Sequence, residues 1–170
     1  MVIRRFKIND IITLHKIYNN LSDINKSYFH PHYFMPKTGI KWLISTICIS
    51  LCSFSIIQEI IKYNFPNACF IMLVATSKNI IMGMCYLKIK SRYKNGYYSQ
   101  LGIMIDEKYQ NKKIGTMLIK AILAESIKYG IKKIDLEVYK NNISAIKLYQ
   151  NHGFKIINDE KIITMTYELS

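Results

Sequence analysis

Two polar residues near the end of the chain, Asn142 and Tyr149, lie at a spacing that could bring both to one site. Residues 134–139 alternate apolar and polar side chains, which predicts a half-buried strand, and a helix is expected to follow from Asn142. The Asn142 amide could cap this helix or bind a polar ligand. Tyr149 lies on roughly the same side of the helix, and its phenol, with an ordinary pKa of about 10, could donate a proton to a departing thiolate. The alternative is a buried ring with a hydrogen-bonded hydroxyl.

A second segment, Leu101–Leu118, is predicted to form a strand, a basic turn and the start of a helix. The turn runs over Tyr109–Gly115, and the helical spacing continues from Thr116 to Tyr129. The N-terminus of a helix presents unpaired N–H groups and the positive end of the helix dipole, so it stabilises a phosphate group. This segment could therefore bind a pyrophosphate.

The residue order in these two segments resembles that of the GNAT superfamily of N-acetyltransferases. Residues 138–154 match its late motif, Val-x3-Asn-x2-Ala-x2-Leu-Tyr-x3-Gly-Phe, without a gap. The turn is similar to its pyrophosphate loop, Arg/Gln-x-x-Gly-x-Gly/Ala, with Gln110 in the first position and Gly115 in the last. The resemblance implies acetyl-CoA as co-substrate and an acyltransferase activity of the N-acetyltransferase type. The sequence offers no convincing set of metal ligands, so no metal is expected.

The loop departs from the family pattern at two positions. Lys113 replaces the first glycine, and Asn111 stands where glycine is common after the Gln. Glycine serves in such loops for close backbone approach or for a positive φ angle. Asn is the best substitute in a left-handed conformation, whereas the Cβ atom of Lys113 must point away from the phosphate. The change predicts weaker cofactor binding, or a lysine that adds its own charge to the diphosphate site.

The resemblance also implies roles for individual residues. Backbone N–H groups near Ile103 and Ile105 are expected to hold the acetyl and pantetheine groups, because the family's fourth strand splays from the fifth here. A fixed N–H aimed at the thioester oxygen can lower the barrier by roughly 3 to 4 kcal/mol. Tyr149 is implied to protonate the thiolate. The residues expected to bind the cofactor are Ile103, Met104, Ile105, Gln110, Asn111, Lys112, Lys113, Ile114, Gly115, Thr116, Asn142, Ala145 and Tyr149.

The resemblance implies that acceptor specificity comes from the connection between the first two predicted helices, Ser22–Gly39, which is predicted to be a loop. Its aromatic rings and histidines could form a pocket over the acetyl group or an ordered hydrophobic lid, and both alternatives stay open. Glu137 is the candidate catalytic base, with Glu107 and the two histidines as alternatives, and alternation alone does not tell which face of the strand Glu137 occupies. The residues expected to bind the acceptor are Phe29, His30, His32 and Tyr33.

Periodicity along the chain predicts strand, helix, loop, helix, hairpin, strand, helix, strand, helix and a closing strand pair. The hairpin is expected over Phe70–Lys88, with its turn at Ser77–Asn79. This order predicts an α+β (α/β three-layer) fold, with a GNAT-like central mixed, mostly antiparallel sheet flanked by helices. The 170 residues contain no Pro/Gly/Ser-rich linker, which favours a single GNAT-like N-acetyltransferase domain over residues 1–170.

The chain is strongly basic, with 24 Lys and Arg against 11 Asp and Glu, a net charge of +13. Such a charge favours anionic ligands, and coenzyme A is one, with Lys112 and Lys113 where its phosphates are expected. No DNA- or RNA-binding motif occurs, so no specific nucleic-acid partner is expected. A homodimer and a monomer both remain open.

One uncharged segment, Trp42–Ile57, could suggest a membrane span. A spanning helix needs about 20 mostly apolar residues, so a buried helix pair is the favoured interpretation. The first residues lack the apolar core of a signal peptide, and the cysteines form no C-x-x-C pair, which together predict a cytoplasmic protein. The cysteines, interpreted as small core residues, are Cys48, Cys52, Cys69 and Cys85.

Three functions follow from these patterns. The first is transfer of the acetyl group of acetyl-CoA to a primary amine of a small molecule or aminosugar by direct attack. The second is acetylation of protein N-termini or lysines, which the basic charge alone supports. The third is a non-catalytic acyl-CoA-binding interaction module, suggested by Lys113 in a glycine position.

Overall fold

The computed structural model describes residues 1–7, 9–28 and 70–169. Within these ranges seven strands form one sheet: β1 (Val2–Arg5), β2 (Phe70–Ser77), β3 (Ile80–Tyr93), β4 (Gly96–Ile105), β5 (Ile131–Tyr139), β6 (Lys155–Asp159) and β7 (Ile162–Glu168). Their order in the sheet is β1-β2-β3-β4-β5-β7-β6. Neighbouring strands are antiparallel except β4 and β5, which are parallel. A parallel pair needs a crossover connection, and a helix provides it here.

The described helices lie on both faces of this sheet. They are α1 (Asp10–Asn20), α2 (Asp23–Tyr28), α3 (Ile114–Lys128) and α4 (Ile143–Gln150), and a 3-10 turn covers Glu107–Tyr109. Helix α3 is the crossover between β4 and β5, and its side chains Leu118, Ile119 and Ile122 are fully buried. Helix α1 buries Leu14 and Ile17, one turn apart along one helical face.

Alternation along β2 explains the three layers. Phe70, Met72 and Val74 belong to the apolar cluster that includes α1, whereas Ile71 and Leu73 belong to the cluster that includes α3. Successive side chains of a strand point to opposite faces, so a strand covered on both faces is apolar throughout. The predicted α+β three-layer fold with a mostly antiparallel sheet is confirmed.

Strands β4 and β5 pair only over their first halves. The parallel register joins residues 97–100 of β4 to residues 131–135 of β5 and ends there. Both strands continue, β4 to Ile105 and β5 to Tyr139, while β4 stays paired to β3 and β5 to β7. The sheet therefore opens between the second halves of β4 and β5, as the resemblance implied.

Two predicted boundaries were wrong. Residues 23–28, expected to be loop, form helix α2, because the Ser22 carbonyl accepts from the Lys26 N–H at 2.9 Å and Asp23 places a negative charge in the first turn. Strand β3 was expected to end at Lys88 but runs to Tyr93, because pairing with β4 continues up to a tight turn at Lys94 with φ of 50°.

Several predicted features lie outside the described residues. These are the uncharged segment Trp42–Ile57 and the cysteines Cys48, Cys52 and Cys69. Cys85 lies in β3 and is fully buried, as expected of a small core residue. Among the helices in the described ranges, none combines the length and the apolar character needed to cross a membrane.

Candidate active site

A cleft of about 380 Å³ opens where β4 and β5 separate. Its walls are the end of β4, the loop that leads into α3, one face of α4 and the α1–α2 corner. All the residues predicted to bind the cofactor line this cleft except Lys112, and Glu137 lines it as well. The structure therefore brings together residues from two motifs that are separated in the sequence.

The backbone of β4 presents amide groups to the cleft. The Asp106 N–H donates to the Met82 carbonyl of the neighbouring chain segment at 3.0 Å. Because successive residues of a strand direct their N–H groups to opposite sides, the N–H groups of Ile103 and Ile105 face away from β3, towards the gap left by β5. The Ile105 carbonyl accepts from Gln110 Nε2 at 3.4 Å, which ties the strand end to the following loop.

The loop before α3 holds two residues in the left-handed conformation. Asn111 has φ of 59° and Lys113 has φ of 61°, and these are the positions at which the family pattern favours glycine. Lys113 is the N-cap residue of α3 and makes no side-chain capping bond, so the first-turn N–H groups of the helix have no cap from that side chain. Such a helix start is suited to an anion.

Lys112 differs from its neighbours, since it is not among the residues lining the cleft. Its ammonium group donates to the Lys108 carbonyl at 2.9 Å and lies 5.2 Å from the centre of the Tyr109 ring. Of the described lining residues, Lys113 is the one cation and Glu137 is the one anion. Most of the chain's positive charge in the described ranges therefore lies outside the cleft.

Asn142 caps helix α4. Its Oδ1 atom accepts from the Ala145 N–H and from the Ser144 hydroxyl, both at 3.2 Å. The capping alternative is thus confirmed, while the amide also lines the cleft. A Cβ atom on Gly115 would lie 2.8 Å from Leu148 Cδ2, so the glycine allows α3 and α4 to meet at the edge of the cleft.

Tyr149 is 6% exposed and lines the cleft. Burial, with a smaller contribution from the Cys85 thiol, raises the pKa of its phenol above the ordinary value, so the hydroxyl stays protonated at neutral pH. In the part of the chain that the structure describes, this hydroxyl has no hydrogen-bond partner. The centres of the Tyr149 and Phe154 rings lie 5.8 Å apart. Gly153, between these two residues in the motif, has the predicted positive φ, at 88°.

Glu137 and Glu107, the two carboxylates predicted as possible bases, differ in their positions and in their hydrogen bonds. Glu137 is exposed on β5 and is among the residues that line the cleft, as is its neighbour Val138. Glu107 is bound by the Ser22 hydroxyl, by Asn25 and by the Ser22 N–H, and these bonds lower its pKa to about 2. A carboxylate so stabilised is a weak base, so Glu107 does not suit that role.

The α1–α2 corner was not predicted to line the cleft by residue. Leu21, Asn25 and Tyr28 do so, and the Tyr28 ring lies 5.8 Å from the ring of Tyr139 at the end of β5. The signal for them in the sequence is the aromatic run that begins at Tyr28, within the segment predicted to be a loop. The predicted acceptor residues that follow directly lie outside the described residues: Phe29, His30, His32 and Tyr33.

Four further lining residues were also missed: Tyr109, Val138, Ser144 and Leu148. Each lies next to a predicted residue in the sequence, so the motif itself was the signal for them. Across the described ranges, no three His, Cys, Asp or Glu side chains are placed to hold a metal ion.

Comparison with known proteins agrees with this geometry. The sequence profile of the acetyltransferase (GNAT) family matches residues 40–154. The chain is 32% identical over 101 residues to N-alpha-acetyltransferase 30 of Xenopus laevis, a match covering 59% of this chain and 35% of that protein. It is 38% identical over 76 residues to spermine/spermidine N(1)-acetyltransferase of Bacillus subtilis (strain 168), covering 41% of this chain and 50% of that protein. The chain thus spans half or less of the length of these relatives.

Solved structures resemble the fold over almost the whole chain. An acetyltransferase of the GNAT family from Streptococcus pneumoniae has a TM-score of 0.71 at 18% identity, covering 99% of each chain. PaiA N-acetyltransferase from Thermoplasma acidophilum, in complex with coenzyme A, has a TM-score of 0.69 at 18% identity, covering 99% of this chain and 98% of that one. At such identities the likeness shows the fold. From the profile match over more than half of its residues, the chain belongs to the acetyltransferase (GNAT) family.

Proposed function

We propose that this protein transfers the acetyl group of acetyl-CoA to a primary amine by direct attack. The observation that carries the proposal is one cleft lined by the end of β4, whose Ile103 and Ile105 amides face away from β3, by the N-terminus of α3 and by Tyr149. Each group could interact with a different part of acetyl-CoA. The amides could donate to the acyl oxygen, the helix N-terminus could bind the diphosphate, and the phenol could donate a proton to the leaving sulfur.

The described residues fit the two ends of acetyl-CoA. The N-terminus of α3 with Gln110, Asn111 and Lys113 would hold the diphosphate, since these groups supply N–H donors and one positive charge. The N–H groups of Ile103 and Ile105 would hold the pantetheine and acetyl carbonyls along β4. When bound, the cofactor supplies an acetyl group activated as a thioester.

Three groups of the chain would act on the reacting atoms. An N–H of β4 stabilises the negative charge that develops on the acyl oxygen, which is worth roughly 3 to 4 kcal/mol for one well-placed donor. Glu137 accepts a proton from the ammonium acceptor, directly or through water, so that the amine can attack the acyl carbon. Tyr149 donates its proton to the departing sulfur, and burial favours that protonated state.

The acceptor is proposed to be a small amine or an aminosugar. Glu137, the one carboxylate among the described lining residues, would favour a cationic acceptor. The relative from Bacillus subtilis is named for spermine and spermidine, which are such cations. A protein N-terminus is the second candidate, because relatives named N-alpha-acetyltransferase 30 match 59% of the chain.

The test is a mass-spectrometric assay of the purified protein with acetyl-CoA. The acceptor panel contains polyamines, amino acids, aminosugars and peptides with free N-termini, at neutral to alkaline pH. Turnover of a small amine but not of peptides supports the first candidate, and the reverse result supports the second. If no acceptor is acetylated while calorimetry shows micromolar binding of acetyl-CoA, the proposal fails and a non-catalytic acyl-CoA-binding module takes its place.

A further inference from the structure

Glu107 makes an unusual set of contacts for an exposed carboxylate. One of its oxygens, Oε1, accepts from the Ser22 N–H at 2.7 Å, from the Ser22 hydroxyl at 2.6 Å and from Asn25 Nδ2 at 2.5 Å. The partners are 82 to 85 residues away in the sequence. Hydrogen bonds to an ionised acceptor are roughly twice as strong as those between neutral groups, so this cluster is a specific connection.

Among the described residues, helix α2 on the other side of this connection has few other contacts with the rest of the protein. No residue of α2 is buried, although Leu21 just before it is 5% exposed and belongs to the α1 core. Within the described ranges, the hydrogen bonds and ring contacts that attach α2 to the rest of the protein are the bonds to Glu107 and the contact of the Tyr28 ring with Tyr139. A short helix without a buried face depends on such contacts, since isolated helices of this length are unstable in water.

Both ends of the connection belong to the cleft. Asn25 and Tyr28 of α2 line it. Glu107 begins the 3-10 turn that leads into the loop with Gln110 and Lys113, which line the cofactor end. The carboxylate therefore joins the wall formed by α2 to the start of the phosphate loop.

We propose that Glu107 is a positioning residue that holds α2 so that Asn25 and Tyr28 form the acceptor-side wall of the cleft. The assignment of that wall to the acceptor rests on the proposed function, whereas the holding of α2 does not. Because Glu107 is absent from the cleft lining, its contribution acts through α2 and not through contact with either substrate. The low pKa of Glu107 means that its carboxylate is ionised in the folded protein at neutral pH, as these hydrogen bonds require.

The first experiment is amide hydrogen exchange, read by mass spectrometry, on the wild type, Glu107→Ala, Glu107→Gln and the control Glu160→Gln. Glu160 is an exposed carboxylate in the β6–β7 turn, far along the chain from α2. We expect at least tenfold faster exchange of residues 22–28 in Glu107→Ala, with α3 and the strands unchanged. Glu107→Gln, which keeps an acceptor oxygen without the charge, is expected to be intermediate, and the control to match the wild type. Unchanged exchange of residues 22–28 in Glu107→Ala would overturn the proposal.

The second experiment separates acceptor from cofactor. Calorimetry with coenzyme A should give dissociation constants within threefold of each other for the wild type and Glu107→Ala. With an acceptor found in the amine panel, KM for that amine should rise at least tenfold while kcat changes less than threefold. A uniform loss of coenzyme A affinity, or equal exchange increases throughout the protein, would mean a general structural role and would overturn the proposal. If no amine is acetylated, the proposed function fails, and the exchange result still decides whether Glu107 holds α2.

Discussion

Lys113 combines a left-handed backbone with the one positive charge that the described residues bring to the cleft. A side chain in this conformation costs about 1 to 2 kcal/mol, because its Cβ atom approaches the following carbonyl oxygen. Lysine at position 113 therefore destabilises the loop relative to glycine, at the site where the diphosphate is proposed to bind. The charge is the physical gain that can offset it.

We expect Lys113→Gly to raise the free energy of unfolding by about 1 kcal/mol and to weaken coenzyme A binding roughly two- to tenfold. Urea denaturation measures the first effect, and calorimetric titration measures the second. Lys78→Gly is the matched control, since Lys78 has φ of 47° in the β2–β3 turn and is not among the residues lining the cleft. It should show the gain in stability and unchanged binding. Tighter binding by Lys113→Gly would mean that the lysine hinders the cofactor.

Tyr149→Phe removes the proposed proton donor and keeps the ring. The expected result is a fall in kcat of about a hundredfold or more with little change in coenzyme A affinity, because only the leaving-group step loses a partner. The control is Tyr167→Phe, whose ring packs on Phe154 at 5.3 Å but does not line the cleft. A kcat equal to that of the wild type would exclude Tyr149 as the acid.

The pH profile offers a further check on Tyr149. Burial raises the pKa of its phenol above the ordinary value of 10.0, so the acidic form persists as the pH rises towards that value. We therefore expect kcat not to fall between about pH 8 and 10 through ionisation of this group. A decline in that range that disappears in Tyr149→Phe would contradict the raised pKa.

Helix α4 holds several of the residues that line the cleft. Its eight residues start at the Asn142 cap and present Ala145 and Tyr149 to the cleft. So short a helix depends on its cap and on packing, because the energy of the first hydrogen-bonded turn is unfavourable. Loss of the cap should therefore affect both stability and the placement of Tyr149.

Asn142→Ala is expected to lower the free energy of unfolding by about 1 kcal/mol, since the Ala145 N–H loses its partner. Asn142→Asp keeps a capping oxygen and should retain most of the stability. Urea denaturation of the three proteins, followed by circular dichroism, measures the difference. Equal losses in both variants would mean that the amide nitrogen, and not the cap, is the important group.

For the whole molecule, the connection between Arg4 and Asp10 fixes the start of α1 to β1. The two Arg4 nitrogens donate to Asp10 at 2.7 and 2.8 Å, and the Lys7 N–H donates at 2.7 Å. Burial acts to raise the pKa of Asp10, but these bonds outweigh it and the pKa is lowered below 3.8. The interaction therefore stabilises the fold above that pH, and the contribution is lost as the pH falls through the folded-state pKa.

Asp10→Asn should cost about 1 to 3 kcal/mol of unfolding free energy at pH 7, because the ionised acceptor of three part-buried hydrogen bonds is removed. The difference from the wild type should shrink as the pH falls from about 3.8, the ordinary pKa of this carboxyl, through the lower pKa that it has in the folded protein. Urea unfolding at pH 7 and at pH 3 measures both values, with Glu160→Gln as the exposed control. A difference that is constant with pH would show that the charge of Asp10 contributes nothing.

The sequence alone determined the features that depend on neighbouring residues. The cap at Asn142, the positive φ of Gly153 and the turn before α3 follow from residue types within a few positions, because capping and left-handed turns are short-range effects. The alternating strands also set the layers of the fold. Only the tertiary structure decided which long-range contacts form: the end of the β4–β5 pairing at residues 100 and 135, the presence of Glu137 in the cleft lining and the bonds of Glu107 to α2. These depend on strand register and on the meeting of distant segments, which no local pattern specifies.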